Sequence, residues 1–199
     1  MTVTTQMVKD LRQATGAGIL DAKKALEEMG GDFQKAVDLL REKGLAKAAK
    51  KIGREAKEGL VELYAHPGNR VGVLLEINCE TDFVARNEMF QQLAHDLALQ
   101  VAAMSPRYIS AENVSEADLT HEREVVRAQT IAEGKPLAVV DKIVAGRLQK
   151  YYEETCLLEQ PFVKDETRKI KDLLNATISQ LGENIIVRRF VRYELGEAL

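Results

Sequence analysis

The sequence predicts an α+β protein, with a small helical bundle first and an antiparallel sheet covered by helices after it. Three observations predict this. Apolar residues recur at helical spacing between glycine turns in the first fifty residues. Two strand-like runs, Leu60 to Ala65 and Val71 to Asn78, flank the hairpin-like loop His66-Pro67-Gly68-Asn69-Arg70. A third strand-like run closes the chain after a long helical stretch. Strands early and late with helices between them fit an α+β arrangement. The expected divisions are a three-helix module over residues 1–45, a helical linker over 46–58 and the α+β core over 59–199.

In the bundle, Met7, Val8, Leu11 and Ala14 mark a first helix, which Gly16-Ala17-Gly18 interrupts. A second runs from Ile19 to Met29 on Ala22, Ala25, Leu26 and Met29, with Leu20 bordering the loop. Gly30-Gly31 stops it, and Asp32 is the expected N-cap of a third, which carries Phe33, Ala36, Val37 and Leu40. Arg41 to Lys57 follows, rich in Lys, Arg and Ala. It reads as a solvated helical face, with a nucleic-acid patch as the sharper alternative.

In the core, Val71, Val73, Leu75 and Ile77 alternate as one buried face of a sheet. A long helix is expected from about Asp82 to Met104, with Phe90, Leu93, Ala94, Leu97, Val101 and Met104 on its stripe. Helical pattern then dominates from Ser110 to Thr155, broken at Gly134-Lys135-Pro136, and again from about Thr167 to Leu181. The closing run, Asn184 to Leu195, places Ile185, Val187, Val191, Tyr193 and Leu195 on one face.

Composition narrows the function classes. Apolar residues make up 45% and charged residues 30%, as in ordinary globular proteins. Lys and Arg total 28 against 31 Asp and Glu, a net charge of −3, which argues against a whole-protein grip on nucleic acid. Cys79 and Cys156 lack metal-ligand or disulfide-framework spacing, so free buried thiols in a reducing compartment are expected. With neither a signal-peptide pattern nor an apolar run of spanning length, a cytoplasmic location without membrane contact is expected.

Enzyme signatures are missing. Gly16-Ala17-Gly18 has neither a preceding strand nor a following Gly-Lys-Ser/Thr, so a turn between helices is expected rather than a phosphate loop. His66, His95 and His121 are scattered, which gives no metal site and no cofactor. Glu80 and Asp82 lie close together, yet acids gather at helix starts for electrostatic reasons alone. What remains is Thr81-Asp82-Phe83-Val84, which has an N-cap, a first-turn acid and an aromatic beside it. Projecting the stripe back from Phe90 reaches Phe83, but Arg86 and Asn87 between them are polar. Phe83 either projects toward a partner or folds back as a staple on the hairpin, and pattern alone leaves both open.

Two long motifs then carry a family resemblance. The run from Leu11 through Gly16-Ala17-Gly18 to Leu26 and the run Asn78-Cys79-Glu80-Thr81-Asp82-Phe83-Val84-Ala85-Arg86-Asn87 resemble the two signatures of the bacterial elongation factor Ts family. Gln160-Pro161-Phe162-Val163 and Arg189-Phe190-Val191-Arg192-Tyr193-Glu194-Leu195-Gly196 extend the likeness to nearly the whole chain. The resemblance implies a guanine nucleotide exchange factor for elongation factor Tu, acting without covalent chemistry. It implies a ubiquitin-associated-like N-terminal module that docks through Arg12, Ile19 and Leu20, and a Thr81–Val84 segment that perturbs the magnesium site, with Phe83 as a wedge and Asp82 beside it. His66 is implied as a further contact. The chain resembles the short, single-core form, which implies that residues 59–199 also dimerise and that a homodimer forms a 2:2 complex without direct nucleic-acid contact. Val191 leaves no cysteine for a disulfide across such a dimer. The competing class is an adaptor for RNA or a ubiquitin-like protein, built on the bundle and the basic linker.

Overall fold

Side-chain caps and glycines set most of the limits of the N-terminal helices. The computed structural model describes residues 3–197, with α1 at Thr5–Thr15, α2 at Ile19–Glu28 and α3 at Phe33–Ala49. Thr4 Oγ1 accepts the Met7 N–H at 3.2 Å, and Asp32 Oδ1 accepts the Lys35 N–H at 3.1 Å. Each satisfies an amide that a helix start leaves without an internal partner. α1 stops at Gly16, whose φ of 67° is left-handed, and a Cβ there would lie 2.0 Å from Gln180 Nε2. Both backbone hand and close approach therefore favour glycine at this turn. Val8, Leu11, Ala22, Ala25, Leu26 and Ala36 are the buried core of the three helices. Ala14, assigned to the first stripe by spacing, is exposed.

Strands β1 (Glu58–Ala65), β2 (Val71–Cys79) and β5 (Ile186–Glu194) form a three-stranded sheet in the order β1-β2-β5. The β1–β2 hairpin closes with the His66 N–H donating to the Val71 carbonyl at 2.9 Å. Val73, Leu75 and Ile77 are buried and Leu74 is exposed, as the alternation predicts. β5 departs from expectation. Ile185 and Val187 are buried, whereas Val191, Tyr193 and Leu195 are exposed. Two consecutive exposed residues, Arg188 and Arg189, shift the phase by one, so the closing run does not keep one face.

The long helix expected from Asp82 to Met104 is two helices, α4 (Asp82–Ala85) and α5 (Glu88–Met104). Asn87 causes the break, because its side-chain Oδ1 accepts the Met89 N–H at 2.9 Å and opens a new helix. Phe90, Leu93, Ala94, Leu97 and Val101 are buried as expected, but Met104, at the end of the stripe, is exposed.

Helices α6 (Glu116–Ala132) and α7 (Leu137–Thr155) pack as a hairpin across the Gly134-Lys135-Pro136 turn. Buried Gln100 organises the segment after them. Its amide nitrogen donates to Gln160 Oε1 at 3.1 Å and to the Pro161 carbonyl at 3.0 Å, and its oxygen accepts the Val163 N–H at 2.8 Å. A satisfied buried amide of this kind fixes a chain path that apolar packing would leave loose. The path is a short antiparallel ribbon of β3 (Pro161–Phe162) and β4 (Asp165–Lys169), where the sequence pattern suggested helix from Thr167. α8 (Ile170–Leu181) starts only after it.

The chain divides into two compact units that are not contiguous in sequence. One comprises Met1–Leu60, Ile77–Leu93 and Asp172–Ile186, and the other Val61–Glu76, Ala94–Lys171 and Val187–Leu199.

Candidate partner-binding site

A turn of four residues cannot hold itself, since a single helical turn fixes several dihedrals for very few hydrogen bonds. α4 is such a turn, and none of its residues is buried. Local caps support it first. Thr81 Oγ1 accepts the Val84 N–H at 3.4 Å, and Asp82 pairs with Arg86 one turn on at 3.0 Å. Asp82 also lies where the helix dipole favours negative charge. Beneath the turn, the buried Cys79 thiol donates to the Thr81 carbonyl at 3.1 Å. Phe83 is 82% exposed, so the staple reading fails: most of the ring stands in solvent.

The stronger support comes from the other end of the chain. Glu183 Oε2 accepts the N–H groups of Glu80 and Thr81 at 3.1 and 3.0 Å, while its Oε1 accepts the Thr81 hydroxyl at 2.7 Å. Glu80 returns the tie by accepting the Asn184 N–H at 2.6 Å, and it pairs with Arg54 at 3.6 Å. Asn184 Nδ2 donates to the Arg54 carbonyl at 2.8 Å. Glu80 and Asp82 therefore pair with different partners, Arg54 and Arg86. Sequence reading missed Glu183, Asn184 and Arg54. The only local signal was the turn-forming Gly182 ahead of two polar residues.

Among the docking candidates, Arg12 is exposed on α1, and Ile19 and Leu20 open α2 at 60% and 72% exposure. Two large aliphatic side chains in water beside a rigid glycine turn make an apolar knob. Gln180 holds that turn by donating to the Thr15 carbonyl at 3.2 Å. These residues and Thr81–Val84 belong to the same compact unit, whereas His66 belongs to the other. His66 is exposed, and its Nδ1 lies 3.0 Å from the Tyr64 hydroxyl. His95 is not a free base, because its Nδ1 meets Glu62 at 3.0 Å.

Five of the seven cations between Arg41 and Lys57 stand in ion pairs in the folded chain. Arg41 pairs with Asp172, Lys43 with Glu28, Lys47 with Asp21, Arg54 with Glu80 and Lys57 with Glu55. A phosphate-binding surface needs cations that are not already neutralised. Among the described residues, no group of three or more His, Cys, Asp or Glu could hold a metal ion, and no helix is long and apolar enough to cross a membrane.

Burial pushes the Cys79 thiol up from its ordinary 9.0 to about 11, with the Glu183 charge adding to the effect. A thiol raised in the fold contributes stability below pH 9.0, which is lost as pH climbs toward about 11. At pH 8, folded Cys79 is expected to react with iodoacetamide at least tenfold more slowly than the unfolded chain, on the order of its lost thiolate fraction. Equal rates in both states would show that the thiol is open beneath the turn.

Comparison with known proteins bears on the whole chain. A model of the family described as Elongation factor TS matches residues 2–197. The chain belongs to the elongation factor Ts family. It is similar to elongation factor Ts of Moorella thermoacetica, 59% identical over 192 residues that cover 96% of this chain and 95% of that one. Elongation factor Ts of Thermoanaerobacter sp. (strain X514) is 56% identical over 197 residues, covering 99% and 97%. Elongation factor Ts of Carboxydothermus hydrogenoformans is 57% identical over 197 residues, covering 99% and 91%.

Proposed function

We propose that this chain is a guanine nucleotide exchange factor for elongation factor Tu, promoting GDP release in translation elongation. The observation that carries the reading is Phe83, 82% exposed on a turn whose backbone is held in place. An exposed aromatic carried on a held backbone is the kind of residue that dominates a protein interface. In this reading Thr81, Asp82, Phe83 and Val84 intrude beside the magnesium site of the GTPase. Arg12, Ile19 and Leu20 of the N-terminal module (residues 1–45, followed by the linker 46–58) anchor the complex, and His66 makes a further contact. Bound GDP is held through its phosphates and their magnesium, so disturbing the ion removes much of the nucleotide's grip. Coupling is reciprocal: the chain weakens GDP binding by the factor by which GDP weakens binding of the chain. No covalent bond is made or broken, no cofactor is needed, and the cytoplasm is where the partner works.

The test is direct. Elongation factor Tu loaded with a fluorescent GDP analogue is chased with excess GDP, with and without the chain. Release that accelerates and saturates with chain concentration is expected. A release rate that ignores the chain overturns the reading.

We further propose that residues 59–199 pair two chains into a homodimer, giving a 2:2 complex. Leu63, 74% exposed, and Tyr193, 69% exposed, lie on the sheet with exposed Val61, Leu74 and Val191, and exposed Leu195 follows the last strand. Carrying the hairpin register back from His66 and Val71 places Leu63 opposite Leu74. Leu195 N–H donates to the Arg70 carbonyl at 2.8 Å, and that register places Val191 beside Leu74. It also sets Arg189 opposite Glu76, and the two meet at 2.7 Å. A continuous apolar row across three strands supports burial against an identical face. Leu63→Glu is expected to halve the native mass seen by light scattering. An unchanged dimer mass would remove the sheet face from the assembly.

A further inference from the structure

We infer that Glu183 is a positioning residue for nucleotide exchange, holding the Thr81–Val84 turn in the conformation that presents Phe83. The inference rests on the exchange reading above and names a residue outside the signature motif. α4 has one helical turn, no buried side chain and a weak cap at 3.4 Å, so local interactions leave it marginal. Glu183 supplies what the turn lacks. One carboxylate takes two main-chain N–H groups and a hydroxyl, all within 2.7–3.1 Å. Charge-assisted bonds of this kind are roughly twice as strong as neutral ones. Both N–H groups precede α4 and have no helical acceptor, so the carboxylate fixes the entry of the chain into the turn.

The backbone around Glu183 is itself prepared for this. Gly182 follows the last residue of α8 with φ 76°, a left-handed conformation that redirects the chain toward the Glu80–Thr81 corner. Asn184 is then caught from the opposite side by Glu80 at 2.6 Å. The two segments grip each other reciprocally, and neither tie involves the Phe83 ring. Glu183 thus acts on orientation rather than on the partner, and a misplacement near 1 Å can cost a rate on the order of a hundredfold.

Three variants of the full chain test the inference: Glu183→Ala, Glu183→Gln and Glu183→Ala combined with Phe83→Leu. Glu183→Ala is expected to slow stimulated GDP release between about tenfold and a hundredfold. The Gln variant keeps the shape and one acceptor oxygen, and it should recover part of that loss. In the Phe83→Leu background, Glu183→Ala should change the rate less than about twofold, because both act through one element. Hydrogen exchange adds a readout that does not depend on elongation factor Tu. Glu183→Ala should release protection at the Glu80 and Thr81 amides while the α5 amides stay protected. Full exchange activity of Glu183→Ala, or a loss of the same size in both backgrounds, overturns the inference. If Phe83→Leu itself exchanges like the unmodified chain, the wedge reading fails and takes this inference with it.

Discussion

Phe83→Ala is expected to slow stimulated GDP release by about 30-fold or more, the size of an interface hot-spot truncation of 2 kcal/mol. The same variant should move Tm by less than about 2 °C. Both halves follow from one fact: the ring is 82% exposed and buries little surface in its own chain. Exposed substitutions cost within about 0.5 kcal/mol, which for a chain of this size is one or two degrees. The backbone of the turn is held by Thr81, Glu183 and Cys79, none of which depends on the ring. The measurement pairs a fluorescent GDP chase with a thermal melt. Wild-type exchange together with a melt lowered by many degrees would invert the assignment.

Much of this architecture was legible because its causes are local. Asp32 and Thr81 announce helix starts through their own side chains, and both cap as expected. Gly16 ends α1 because one residue must take a left-handed conformation. The β2 alternation needs only one buried face. Asn87 carried a readable signal too, since an Asn before a new apolar period is an N-cap; continuing the stripe across it hid the break between α4 and α5.

What stayed illegible has its cause far away in sequence. The Glu183 carboxylate grips Thr81 across 102 residues, and no periodicity encodes that pairing. The charged residues of β4 look nothing like a strand, because the ribbon is held by its partner and by the Gln100 network rather than by an apolar face. The phase change at Arg188 and Arg189 likewise depends on pairing, with Arg189 fixed against Glu76 of the neighbouring strand. The ion pairing of the basic stretch required knowing that Asp172 meets Arg41. For Phe83, the residue pattern left projection and staple both open, and the structure exposes the ring on a separate helix that never joins the stripe.

Phe90→Ala, the same chemical change seven residues later, is expected to give the opposite pair of results. Phe90 sits in the first turn of α5, immediately after the Asn87 cap, and is fully buried. Truncation removes a large apolar surface and leaves a cavity that the close-packed surroundings fill only in part, a loss of about 3–5 kcal/mol. For a chain of this length that corresponds to a Tm lowered by roughly 6–20 °C. Denaturant melts should show the midpoint falling with little change in slope, since the surface exposed on unfolding hardly alters. At temperatures well below the lowered midpoint the remaining folded protein should still accelerate GDP release, because Phe83 and its Glu183 support are untouched. A neutral melt would overturn the burial of Phe90. A stable variant without exchange activity would move the working surface from α4 to α5. The contrast between exposed Phe83 and buried Phe90 therefore tests the proposed exchange role of Phe83 separately from the stability of the fold.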